Sequence, residues 1–459
     1  MWKFVAVFAV FSMANGLEHI DDSLINKNVQ RTIDLNSQLV KIGGTITIEN
    51  TGEGSVASYL LAIEDPDSFS SITVQDSQKN PLKIEQFRAR FQGPERIAFK
   101  VHLRPSLEPG KTTTIIFESF FTNSLKFCPK CVTQKEKQLV KYEGNYYFYS
   151  PYVTKTQKTD VLVNSRVVEK YSKLKPVSQT DSTITYGPYT DIEQFARDSL
   201  SVHYENNGPF LSVSRLQRTI EVSHWGNIAI EENIDLKHTG ALLKGSFSRY
   251  DYQRDTVANH HSIRSYVTVL PALAHSIYYR DMNGNISTSN VRTHKDYIEV
   301  ELKPRFPLFG GWRSSYTLGY SVPSSRYLFR KPSGEFLLKV RLIDHVFDDM
   351  AVEDLETDIV LPVGVTDIKV KAPYEVKRLD DKVAYKYLDT IGRTVIRLSK
   401  QNLVEQHIQD VEISYNWNTH MLLHEPILLF LALFSLFIAV IIYVRLDFSI
   451  AKPEHSKKE

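Results

Sequence analysis

Cys128-Pro129-Lys130-Cys131 sets two reactive thiols three positions apart and holds both cysteines of the chain. A zinc site needs about four ligands, and no second CxxC or paired-histidine arm stands elsewhere in the sequence. A thioredoxin-like redox pair needs its first cysteine at a helix start within an α/β unit, whereas this motif lies among strand-like sequence. In an oxidising lumen Cys128 and Cys131 are expected to close a small local disulfide, with free thiols the next alternative and redox catalysis the last. His260-His261 and His420-x-x-x-His424-Glu425 bring imidazoles together, but neither has the His-Glu-x-x-His order of a zincin helix. Asp348-Asp349 and Asp21-Asp22 could serve as an acid pair or a metal site, yet adjacent carboxylates on exposed turns are ordinarily only solvated. Neither a Gly-rich phosphate loop nor a Gly-x-Ser-x-Gly elbow is present. The expectation is a chain with no catalytic residue, no metal and no cofactor of its own.

The elements that would carry these residues are strands. Alternation of apolar and polar residues recurs at Thr45–Ile48, Ile298–Leu302, Leu338–Leu342 and Val411–Tyr415, between Gly- and Pro-containing turns. A period of two predicts antiparallel strands with one buried face. The ends differ from this pattern. Lys3, the apolar run Phe4–Phe11 and the small residues Ser12, Ala14 and Gly16 have the layout of a signal peptide, residues 1–16, cleaved after Ala14 or Gly16. Pro426–Val444 contains no charged residue and only Ser435 as a polar interruption, enough to cross a hydrocarbon core of about 30 Å as a helix. Arg445, Lys452, Lys457 and Lys458 follow it, which predicts a cytosolic C-terminus and type I topology. The tail, residues 445–459, carries too little net charge to grip ribosomal RNA. Ala432, Ser435 and Ala439 share one face of the span, where another helix could approach closely. With a net charge of +2 and mixed signs throughout, no nucleic-acid surface is expected.

The two halves echo one another in order. Arg31-Thr32-Ile33-Asp34 is matched by Arg218-Thr219-Ile220-Glu221, Thr51-Gly52 by Thr239-Gly240, Val101–Pro105 by Val300–Pro304, and Thr159–Val163 by Thr357–Leu361. Four matches at similar spacing predict a duplicated β-sandwich, with a boundary in the turn-forming Asn206-Asn207-Gly208-Pro209. The expected layout is a lumenal β domain over 17–208, a second over 209–424, a membrane helix over 425–444 and the tail. Asn285-Ile286-Ser287 is an N-glycosylation sequon in a polar stretch, as a surface loop requires. The aromatic run Tyr142–Tyr152 is too dense for plain surface; it is expected at the junction between domains, with a protein-binding face as the alternative.

From Arg218 the sequence RTIEVSHWGNIAIEENIDLKHTGALLKGSFSRYDYQR resembles the ribophorin I family, as do PRFPLFGGW (304–312), DHVFDDM, YLDTIGR (387–393), NLVEQHIQD (402–410) and VIIYVRLDFSI (440–450). EGNYYFYSPY and VHYENNGPFL resemble the family's first domain. The resemblance implies a mainly β fold of two tandem sandwich-like lumenal domains, similar to the noncatalytic β-domains of certain zinc aminopeptidases, plus one C-terminal transmembrane helix. It further implies a noncatalytic subunit of the endoplasmic reticulum oligosaccharyltransferase, partnering the separate catalytic subunit, other subunits and nascent membrane and secretory proteins. Asn285 matches the family's glycosylation position. The CxxC motif is not a feature associated with the family. Two other classes compete: a membrane-tethered lumenal hydrolase, which needs a metal or an acid pair, and a tandem-sandwich adhesion receptor, which would carry more disulfides.

Overall fold

Two large sheets with the same plan organise the chain. The computed structural model describes residues 23–90, 95–254, 261–386 and 389–446. The expected signal peptide, Asp21-Asp22, His260 and all but the first two residues of the tail lie outside these.

In the first half, the strand Leu24–Asp34 pairs in parallel with Thr154–Leu162 on one side and antiparallel with Val40–Asn50 on the other. The sheet extends to seven strands, with Thr183–Ile192 and Val177–Thr180 at one edge, and Thr112–Phe121 and Phe69–Asp76 at the other. In the second half, Leu211–Val222 pairs in parallel with Ala351–Val360 and antiparallel with Asn227–His238. Arg393–Leu403 then continues one side, and Arg313–Pro323 followed by His275–Asp281 the other. The matched sequence segments fall at equivalent places. Arg31 stands opposite Thr159, and Arg218 opposite Thr357, on the one parallel pair of each large sheet.

The flanking sheets repeat as well. Val168–Tyr171, Ser199–Glu205, Leu139–Asn145 and Leu125–Phe127 correspond to Thr366–Lys371, Asp410–Asn416, Phe336–Arg341 and Leu328–Arg330. Val56–Ala62, Glu95–Leu107 and Ile84–Arg90 correspond to Tyr266–Pro271, Tyr297–Leu302 and Asn290–Thr293. Alternation places one face of each strand inward, so that Val29, Arg31 and Ile33 are buried while Gln30 is exposed. Each half closes its own apolar core. One is built around Ile33, Ile46, Tyr59 and Tyr204, the other around Ile220, Leu318, Ile359 and Tyr415. The aromatic run belongs to the first of these cores, where Tyr146 packs edge-on against Tyr186 and Phe148 against Phe117. It does not form the junction, contrary to expectation, because its side chains point between the sheets of one half.

The seam between halves is small and mixed. Leu39, Phe120, Ala351 and Val404 form its apolar centre. Gln38 bridges it, donating to the carbonyl of Asp349 at 2.6 Å and accepting from the Leu211 amide at 2.6 Å. Lys41 pairs with Asp349 at 2.7 Å. At a second place the short strand Cys131–Val132 lies parallel to Leu242–Leu243, and Gln134 exchanges two bonds with the backbone of Ser248. The helix His424–Arg445 has 22 residues, about 33 Å at 1.5 Å per residue, and none of them is buried. It is the one helix among the described residues long and apolar enough to cross a membrane.

Candidate functional site

The strongest convergence of charged and aromatic side chains lies where that helix leaves the second half. Three strand ends meet there: the close of Leu211–Val222, the start of Asn227–His238 and the start of Arg393–Leu403. The first two are joined by Ser223–Gly226, in which Gly226 adopts a φ of +109° that a side chain would strain. Ser223 accepts the Trp225 amide at 3.2 Å, and the turn leaves the indole 63% exposed.

Arg393 is the hub. Its guanidinium donates to Asp389 at 2.8 Å, to Glu221 at 3.1 Å and to Glu425, in the first helical turn, at 2.8 Å. Lys386 donates to the other oxygen of Glu221 at 2.7 Å. Burial by itself would lower the pKa of Arg393, but its three carboxylates outweigh this and hold it above its ordinary value. Thr390 and the His424 ring bond at 3.0 Å, giving the helix start a second tie. Trp417 donates its indole N–H to the Val363 carbonyl at 2.9 Å and stacks on His224 with ring centroids 3.8 Å apart. Burial pushes the pKa of His224 down to about 4, so the ring is neutral and bonds the Tyr415 hydroxyl at 3.1 Å. These groups enclose a cleft of about 310 Å³ lined by Glu221, His224, Trp225, Arg393, Trp417 and Glu425.

Glu221 and Asp389 are committed to cations, and the imidazole to stacking. The arrangement therefore fastens a helix to the end of a sheet, and it offers no poised acid–base pair. Removing Arg393 leaves Asp389, the buried member of the network, without its cation, while the half-exposed Lys386 and Glu425 are screened by solvent.

The residues singled out in the sequence do not converge on this cleft, apart from His424 and Glu425. Cys128 and Cys131 are free, exposed thiols in the structure, where a local disulfide was expected. The backbone of Cys131 is taken up in the strand pair with Leu242, which ties the motif to the second half. Asn285 sits exposed in a tight hairpin on the edge of the large second sheet, with its carbonyl 3.4 Å from Arg305. Ala432, Ser435 and Ala439 are exposed on the membrane helix. His261 is buried beneath His238, whose ring bonds its carbonyl at 2.7 Å. Asp349 belongs to the seam, where it meets Lys41 and Gln38, whereas Asp348 is exposed; His345 lies 3.2 Å from Asp348 and 3.8 Å from Glu405.

Two buried arginines and their partners escaped sequence analysis. Arg31 donates to the carbonyls of Asn145, Tyr146 and Tyr147 and to the Thr159 hydroxyl, and burial pushes it down to about 10. Arg218 instead pairs with Glu232, with Asp344 at 2.9 Å and with the Tyr320 hydroxyl at 3.3 Å. The signal was available: each is an arginine on the apolar phase of an alternating strand.

Comparison with known proteins bears on the whole chain. A sequence model of the family described as Ribophorin I matches residues 24–444. The chain belongs to the ribophorin I family. Within the family, it is 40% identical over 441 residues to the Caenorhabditis elegans protein named dolichyl-diphosphooligosaccharide–protein glycosyltransferase subunit 1, covering 95% of this chain and 75% of that one. It is 35% identical over 444 residues to subunit 1A of Arabidopsis thaliana, covering 94% and 72%. Subunit 1B of the same plant is 34% identical and covered over 98% of both lengths. Among solved structures, native yeast LTA4 hydrolase overlaps 43% of this chain and 31% of its own, at 9% identity and a TM-score of 0.26, a likeness too slight to carry an argument. The ribophorin I match spans both halves and the helix, and so includes the Arg393–Glu425 junction.

Proposed function

We propose that this chain is a noncatalytic, structural subunit of the endoplasmic reticulum oligosaccharyltransferase, supporting transfer of a dolichol-linked glycan to Asn-x-Ser/Thr of nascent proteins. The observation that carries this reading is the match of nearly the whole chain to relatives named as subunit 1 of that glycosyltransferase. Its noncatalytic character is supported by the membrane-end cleft, where Glu221 and Asp389 are already paired with Arg393 and Lys386. In this reading residues 17–208 and 209–424 are two lumenal domains, the helix is a type I span, and Ala432, Ser435 and Ala439 face a partner helix. Asn285, exposed on a sheet edge, is the glycan acceptor.

Depletion of the protein should leave many secreted glycoproteins underglycosylated, while the purified chain alone transfers no glycan to an acceptor peptide. Transfer by the purified chain would overturn the noncatalytic assignment. The hydrolase alternative has one observation in its favour. His345, Asp348 and Glu405 are the one set of three ligand-type groups found close together among the described residues. However, Glu405 already accepts the Asp349 amide at 2.7 Å. Metal analysis of the purified chain decides between the two readings.

A further inference from the structure

The membrane end of the second half carries more exposed apolar surface than fastening a helix requires. Trp225, Val383, Tyr385, Ile391 and Leu423 are each 50–68% exposed. They are gathered by contacts around one point. Ile391 lies between Thr390, bonded to His424, and Arg393, bonded to Glu425. Val383 and Tyr385 crowd Gly392, whose Cβ would meet them at 2.5 and 3.1 Å. Trp225 lines the same cleft as Glu425 and Met421. Leu423 is the residue immediately before the helix.

Exposed apolar and aromatic side chains in such a group mark an interaction surface. What covers this one follows from its continuity with the span. The helix runs directly from it, and the Arg393–Glu425, Thr390–His424 and Trp417–Val363 bonds tie its start to the sheet end. Indole and phenol rings favour the headgroup level, where an apolar body and a polar edge are both satisfied.

We propose that Trp225, Val383, Tyr385, Ile391 and Leu423 form a lipid-binding surface that dips into the bilayer interface around the helix start, so that the second half stands on the membrane at a fixed height. The attraction is apolar and aromatic. The paired charges at the junction comprise three carboxylates (Glu221, Asp389, Glu425) and two cations (Lys386, Arg393), one net negative charge that gives anionic headgroups no purchase. Strand Asn227–His238 rises from this end, so Trp312, whose carbonyl accepts the His238 amide, is about 35 Å away at roughly 3.3 Å per residue.

The inference rests on reading the helix as a span, and the experiment separates the two. The full chain is reconstituted into nanodiscs of phosphatidylcholine containing nitroxide lipids labelled at the headgroup, near the top of the acyl chain or near its end. Trp225 emission is taken as the difference between the unaltered protein and Trp225→Phe; this indole is exposed, so the substitution leaves the fold intact. Quenching at least severalfold stronger by headgroup and upper-chain labels than by the chain-end label is expected, unchanged on adding phosphatidylglycerol or salt. Trp225→Phe retains Trp417 in the same cleft as well as the distant Trp312, and so supplies the background that is subtracted at each label. Co-fractionation with nanodiscs but no quenching of Trp225 would overturn the surface while leaving the span, and would point to a protein partner there. Quenching only with anionic lipid would overturn the apolar mechanism. Failure to enter nanodiscs would overturn the span, and the surface with it.

Discussion

Replacing Arg31 and Arg218 by Met should destabilise the two halves with different dependence on pH. Arg218 is 2% exposed, and its partners Glu232 and Asp344 are 1% exposed. Arg218→Met leaves two buried carboxylates without their cation, at a cost of about 3–5 kcal/mol near neutral pH. Burial already raises the pKa of Glu232, against the opposing pull of Arg218. Without Arg218 the rise is larger. An acid whose folded pKa exceeds its unfolded value favours the fold below the unfolded value and loses that contribution as pH rises through the folded one. The deficit of Arg218→Met should therefore grow as pH rises above the ordinary carboxylate range, by up to about 1.4 kcal/mol per pH unit while Glu232 titrates. Arg31→Met instead takes the guanidinium from the carbonyls of Asn145 and Tyr147, neither of which titrates, while the Tyr146 carbonyl and the Thr159 hydroxyl keep the Gln157 amide. Its deficit of about 2–4 kcal/mol should be flat over the same range. The assay is urea unfolding of the full chain in detergent, with hydrogen exchange of peptides covering 24–34 and 211–222 assigning each transition to its half. A pH-independent deficit for Arg218→Met would refute the account of two carboxylates held by one arginine.

Acid should weaken the second half in the unaltered protein. Burial pushes His238 and His407 down to about 4, and each accepts a backbone amide at Nδ1, from Gly240 and Val404 at 3.1 Å. Their folded pKa lies below the unfolded value near 6.5, so the contribution is intact above that value. It is lost as pH falls toward 4, at up to about 3 kcal/mol each; His238→Gln should flatten the urea midpoint against pH. Both Cys128 and Cys131 should react with a maleimide in the native chain without reductant, and protection of the pair until reduction would restore the disulfide. Asn285→Gln should remove one glycan that endoglycosidase H also removes; a resistant glycan would contradict residence in the endoplasmic reticulum. Replacing Ala432, Ser435 and Ala439 with Leu should reduce recovery of the catalytic subunit severalfold without impairing insertion, and unchanged recovery would exclude this face as a contact.

Strand positions were legible because alternation is a local code. Thr45 to Ile48, Ile298 to Leu302, Leu338 to Leu342 and Val411 to Tyr415 read as strands on their own, and strands stand at all four places. The aromatic run was misplaced because density of rings signals burial without saying against which sheet. The CxxC spacing suggested a bond between Cys128 and Cys131, whereas both thiols are free; the backbone pairing of Cys131 with Leu242, more than a hundred positions away, has no local signal.

The sequence by itself determined a mainly β chain, built twice, ending in an apolar helix long enough to span a bilayer. Periodicity, repetition and apolar run length are properties of neighbouring residues, and no knowledge of the path between them is needed. Only the tertiary structure decided what the two equivalent arginines hold. Residue 31 meets backbone carbonyls from the Asn145–Tyr147 segment, whereas residue 218 meets Glu232 and Asp344. It also decided that the start of the helix is bonded to the second half, because Glu221, Arg393 and Glu425 are far apart in sequence. Strand register brings them within hydrogen-bond reach, and register is set by the packing of whole sheets rather than by any one segment.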